Sequence, residues 1–166
     1  LGGGGLDNDA AKPPNNNECI SGMIAWMRSN SSRFKSAASG VTFMDARLPS
    51  NQYGLHESGK VYLDFNKMQS MGATRDGLPN VMLFWSTAGH EVRHYVQSNS
   101  GWSTMQFAYR DKGEIKYSGT GAFGRLWDDL LNDGRAHEED AEIFGEQIMS
   151  DLLKTWQTQG YPKCVN

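Results

Sequence analysis

The stretch "WSTAGHEVRHYVQSN", residues 85–99, constrains this chain more than any other. It sets His90 and His94 four positions apart, with Glu91 directly after the first. On a helix, side chains at i and i+4 stand one above the other on a shared face. At about 100° per residue, Val81, Phe84, Trp85, Ala88, Val92, Tyr95 and Val96 gather on one side. The two histidines lie about 160–170° from the centre of that side. The front also carries Leu83, Ser86 and Thr87, where a fully solvated face would carry Lys and Glu, so it is read as partly covered. The fold must therefore give this helix a core behind it and a cleft in front.

Two imidazoles placed this way can bind one Zn²⁺ through a nitrogen each. Glu91 is rotated about 100° from His90 and cannot easily join the pair as a ligand. It is instead placed to act on water as a general base, the catalytic role expected for it. A catalytic zinc takes three protein ligands and keeps a fourth position open, so a third donor is needed.

The densest set of candidates opens the last helix: His137, Glu138, Glu139, Asp140 and Glu142. Acidic residues favour helix N-termini through the macrodipole, which accounts for most of the cluster. The apolar stripe of this helix runs through Ala141, Phe144, Ile148, Met149, Leu152, Leu153 and Trp156. Glu138 lies about 35° from its centre, and Glu142 and His137 about 65–75°. Glu139 and Asp140 lie more than about 120° away and are expected to face water. An inward carboxylate is costly unless paired or metal-bound. The metal ligands are thus read as His90, His94 and Glu138, with Glu142 and His137 as alternatives for the third place or for supporting roles. His137, Tyr109, Tyr117 and Arg125 are candidates to stabilise a reaction oxyanion.

The rest of the chain is read as one mixed α+β domain. A helix is expected over 19–39, strands over 41–49 and 59–68, and helices over about 80–98 and 136–157. "PSNQYGLHESG" between the two strands reads as loop, and in the second strand Val61, Leu63 and Phe65 are expected to face one way and Tyr62 and Asp64 the other. A hairpin is expected where "TMQFAY" and "EIKYSG" flank "RDKG", and "LWDDLLND" reads as a short helix. Residues 99–125, rich in Gly and Ser, are a candidate wall or lid of the cleft. Residues 1–18, with four consecutive glycines, read as a flexible linker from a larger protein, and 19–166 as the domain.

Cys19 and Cys164 sit at opposite ends of that domain; they are either two buried thiols or a bridge contributing about 4–5 kcal/mol in the chain-entropy model. A net charge of -3 and a pI near 5.8 give no reason to expect a nucleic-acid or membrane partner. No apolar run approaches the roughly 20 residues of a membrane span, and no signal-peptide pattern is read.

"STAGHEVRHYVQ" together with "RAHEEDAEIFGEQI" resembles the two active-site helices of gluzincin-type HExxH metallopeptidases. The extended third-His motif of metzincins is lacking after His94. With the Gly-rich lead-in, the chain is more closely similar to the C-terminal metallopeptidase toxin domains of evolved VgrG spike proteins of bacterial type VI secretion systems. Residues 85–98 and 135–148 carry this likeness. It implies a zincin-like domain with an HExxH helix, a small β-sheet and a long C-terminal helix bearing the third ligand. It also implies a zinc peptidase acting on a protein or peptide, with a peptidoglycan amide as an alternative substrate. Such a domain would be tethered to a trimeric spike and secreted into the periplasm of a target bacterium. The competing expectation is a non-catalytic interaction domain with a structural zinc.

Overall fold

A computed structural model describes residues 15–71, 79–100, 105–118 and 135–159. Its elements are helices α1 (Asn16–Asn30) and α2 (Ser32–Ala37), strands β1 (Thr42–Asp45), β2 (Gly54–Glu57) and β3 (Lys60–Leu63), helices α3 (Phe65–Ser70) and α4 (Asn80–Ser100), strands β4 (Ala108–Asp111) and β5 (Glu114–Tyr117), and helix α5 (Arg135–Gln159). This is the mixed α+β class expected. No helix among the described residues is long and apolar enough to cross a membrane.

Several boundaries differ from the sequence reading, each for a local reason. The expected helix over 19–39 is two helices that begin at Asn16, where the Asn15 side chain accepts from the Glu18 amide. Ser31 breaks the run: its backbone is extended and its hydroxyl caps the Phe34 amide, which favours a fresh start over continuation. The second strand ends at Leu63 because Asp64 caps α3 through the Lys67 amide. Asp64 is therefore buried alongside Leu63 and Phe65, where the alternation would have set it on the opposite side. Although burial alone would raise it, the Leu48 and Lys67 amides and the Arg47 and Lys67 charges hold its carboxyl below the usual range. Phe65 still points into the core, now from a helix. Inside the expected loop lies a whole strand, β2.

β3 is the central strand, parallel to β1 and antiparallel to β2. The β2–β3 turn is Ser58–Gly59, with φ of 50° and 77°. The β4–β5 hairpin stands as expected, turning at Lys112–Gly113 with φ of 52° and 82°. Positive φ at both central residues is the pattern of a type I′ turn, which suits the strand twist.

One core joins α1, α2, β3, α3, α4 and α5. Trp85 is fully buried between Trp26, stacked at 5.5 Å, and Trp156, edge-on at 6.1 Å. Val81, Phe84, Ala88 and Val92 complete the buried back of α4, as the wheel requires. The most extensive contact between two elements is α4 against α5. It closes on a glycine pair: a methyl at Gly145 would lie 2.5 Å from the Ser86 carbonyl oxygen, and one at Gly89 would lie 3.1 Å from the Gly145 Cα. Only glycine lets the two backbones approach this closely, one residue before His90. Cys19 is buried. Cys164, the expected helix over 126–133 and most of residues 1–18 lie outside the described residues, as do 101–104 and 119–125 of the proposed lid.

Candidate metal centre

α4 carries His90 and His94 on its half-covered front, rings 4.7 Å apart and near perpendicular. α5 crosses at Gly145 and so brings its first turn, seven residues earlier, over that front. The Glu138 carboxylate bridges the two rings: Oε2 lies 3.2 Å from His90 Nε2, and Oε1 lies 3.0 Å from His94 Nε2. The two Nε2 atoms are 3.1 Å apart. Among the described residues these three side chains form a group able to hold a metal ion. Zinc bonds of about 2.0–2.1 Å in tetrahedral directions place their ligand atoms about 3.3 Å apart. Glu138 meets the two rings with different oxygens, and one donor atom from each residue lies within 4.8 Å of the others, so the donors present fit such an ion in number and type.

Glu138 reaches this place differently from the expectation. Its side chain is 56% exposed, standing at the rim rather than continuing the buried stripe. Hydrogen bonds from His90 and His94 hold its carboxyl far below the usual carboxylate range. For His94, burial acts to lower the pKa, but hydrogen bonds to Glu138 and Gln97 outweigh it and the ring is held above its ordinary value. Glu142 lines the same cavity one turn further along α5, outside the three-donor group.

The cavity has a volume of about 810 Å³. Its far wall is the 51–56 segment, including β2, and its floor holds Ser86, Thr87, His90, Glu91 and His94. Glu91 is buried at its base, 9% exposed. Burial pushes its carboxyl up, and the Glu138 charge adds to this, while His90, His94 and the His56 backbone N–H pull against it. Gly54 lets β2 close on this residue, since a methyl there would lie 2.8 Å from Glu91 Cγ. Burial also lowers the His56 pKa, reinforced by the charge of His94.

Asp140 overturns its expected place in water: it is 1% exposed. The wheel had centred on the side of α5 that meets the core. It contained no information about the 105–111 segment and the C-terminal half of α4, which cover the opposite side of the first turn. Arg93 grips Asp140 with two nitrogens, at 2.6 and 3.1 Å, and stacks over Phe144. The Ala108 amide and the Gln97 side chain complete its partners, at 2.7 and 2.8 Å. Glu139 accepts from the Arg110 amide at 2.5 Å and is only partly exposed.

The oxyanion candidates fare less well. His137 turns its ring to Phe107, 5.8 Å away, and Tyr117 accepts from Gln147; neither they nor Tyr109 line the cavity. Arg125 lies outside the described residues. Gln97, unremarked in the sequence, sits against His94. Its signal was available, because positions 90, 94 and 97 share one helix face. No family model, curated protein or solved structure was found to match the chain.

Proposed function

We propose that the domain is a zinc-dependent peptidase with a zincin-like arrangement, in which His90, His94 and Glu138 hold the ion and Glu91 is the general base. The observation that carries this reading is the convergence of a two-histidine, one-carboxylate donor set with a separate buried carboxylate in one open cavity. Two nitrogens and one oxygen with an open side is the donor pattern of hydrolytic rather than structural zinc, which is normally closed by four protein ligands. An ion held there supplies a Lewis acid that acidifies water toward neutral pH and polarises a carbonyl.

Glu91 takes the proton of the attacking water and delivers it to the leaving nitrogen. Its burial keeps competing water away, and the close approach of β2 at Gly54 restricts where its carboxylate can swing. Support for a peptide as substrate comes from β2 itself. It is one of the two edge strands of the three-stranded sheet and forms the cavity wall. An extended chain can add to such an edge through its own backbone amides, with its scissile bond carried over the histidines. Tethering to a VgrG-type spike and action on periplasmic proteins or peptidoglycan peptides are part of the same proposal. They are supported by the likeness of the 85–98 and 135–148 segments.

Metal analysis and hydrolysis of an unfolded protein substrate test the reading together. The chain should take up one zinc, lost in His90→Ala and in His94→Ala. Glu91→Ala should keep the zinc and lose hydrolysis by about 10²–10⁴-fold. Full activity in Glu91→Ala would remove the general-base role, and a chain that takes up no zinc would end the proposal.

A further inference from the structure

Behind His94 lies a chain of hydrogen bonds with no part in the reaction as described. The Gln97 side chain donates from Nε2 to Asp140 Oδ2 at 2.8 Å and to the His137 carbonyl oxygen at 3.0 Å. Both partners only accept, so the amide nitrogen must face them. That leaves Gln97 Oε1 toward His94, 2.8 Å from Nδ1. An amide oxygen can only accept, so the proton between them belongs to Nδ1. With Nδ1 held by Gln97, Nε2 is the atom that faces His90 and Glu138; it donates to the Glu138 carboxylate here and would release that proton on binding a metal. Asp140 is itself pinned by Arg93 and by the Ala108 amide, and it is nearly inaccessible to solvent.

We propose that Gln97 and Asp140 are positioning residues for the metal centre: Asp140 fixes the orientation of the Gln97 amide, and Gln97 fixes the ligand tautomer of His94. The inference rests on the metal-binding reading above for its purpose, though not for its geometry. Its physical advantage is specific. A carboxylate directly on His94 would add a full charge beside Glu91 and Glu138. The amide instead passes on only the polarising effect of Asp140, strengthened within a hydrogen-bonded chain. The ring is thereby oriented and made a better donor without raising the negative charge of the cavity.

The test uses the full chain with zinc as the probe. Gln97→Met keeps the side-chain length and removes the acceptor. Chelator competition should show zinc binding weakened by about 10–100-fold, with one site retained. Asp140→Asn should weaken it less, because the substituted amide still offers an acceptor to Gln97. In the zinc-loaded wild type, long-range ¹H–¹⁵N correlation should show His94 protonated on Nδ1. In zinc-loaded Gln97→Met that Nδ1 proton should exchange with solvent faster, its acceptor being gone. Wild-type zinc affinity in Gln97→Met, or a zinc-loaded wild type with His94 protonated on Nε2, would overturn the proposal. If the wild type takes up no zinc, the peptidase reading fails and this proposal with it, whereas zinc uptake with unchanged affinity in Gln97→Met overturns this proposal alone.

Discussion

The two sides of α4 are held in place by different physics. Its back is packed: Trp85, Phe84 and Val92 are wholly buried in the apolar core shared with α1, α2, β3, α3 and α5. Its front is wired. Each of His90, His94, Arg93 and Gln97 meets a named polar partner on α5, at distances between 2.6 and 3.2 Å. Packing is non-directional and tolerates substitutions that conserve volume. A hydrogen-bonded array is directional, and losing one member leaves a buried partner unsatisfied. One helix can thus carry stability on one side and chemistry on the other, joined where Gly89 and Gly145 meet.

Three substitutions would break or sharpen this contrast, taken from the largest effect to the smallest. Trp85→Ala empties the space between Trp26 and Trp156 and should cost about 3–5 kcal/mol, read by denaturant unfolding. Zinc stoichiometry of the protein that remains folded should not change. If the folded fraction loses its zinc site, back and front are not separable.

Gly145→Ala acts at the joint between them. The added methyl meets the Ser86 carbonyl oxygen, a backbone atom that cannot swing aside. Overpacking of this kind costs about 1–3 kcal/mol. Because α5 must shift, Glu138 should move with it, so zinc affinity should fall along with stability. A loss of stability with full zinc affinity would show that the crossing does not set the third ligand.

The smallest effect is electrostatic. Glu138→Gln removes the charge between the two rings. In the metal-free chain, the Glu138 contribution is present above its ordinary pKa of 4.5 and is lost as pH falls toward its depressed folded value. The His94 contribution is present below its ordinary pKa of 6.5 and is lost as pH rises through its raised folded value. The Tm difference between wild type and Glu138→Gln should therefore be greatest between about pH 4.5 and 6.5 and shrink on either side. Solvent screening at the exposed rim keeps the difference small. A difference that does not vary with pH would mean the carboxylate and the rings do not interact in solution.

The legibility of the fold followed the length and regularity of its elements. α4 and α5 were readable to within two residues, since helices of 21 and 25 residues repeat their apolar pattern many times. β2 was not readable: four residues, Gly-Leu-His-Glu, with alternate positions half-buried, show too little alternation to stand out from loop. Val61, Leu63 and Phe65 are buried as their spacing suggests, but Asp64 between them is buried too, because its cap turned the chain into α3. Asp140 was misplaced because a helical wheel knows only one covering surface, and α5 has two.

At the centre itself, the sequence alone determined that His90 and His94 share a face opposite an apolar back, because that follows from helix geometry and local spacing. It also narrowed the third donor to the start of α5. Tertiary structure alone decided that Glu138 bridges the two rings from an exposed rim, that Asp140 is buried behind them, and that Gln97 joins the two. Those outcomes depend on how closely α4 and α5 cross and on what covers their far sides. Both are set by contacts between residues roughly 40–60 positions apart, such as Ser86 with Gly145 and Gln97 with Asp140, and no local period encodes them.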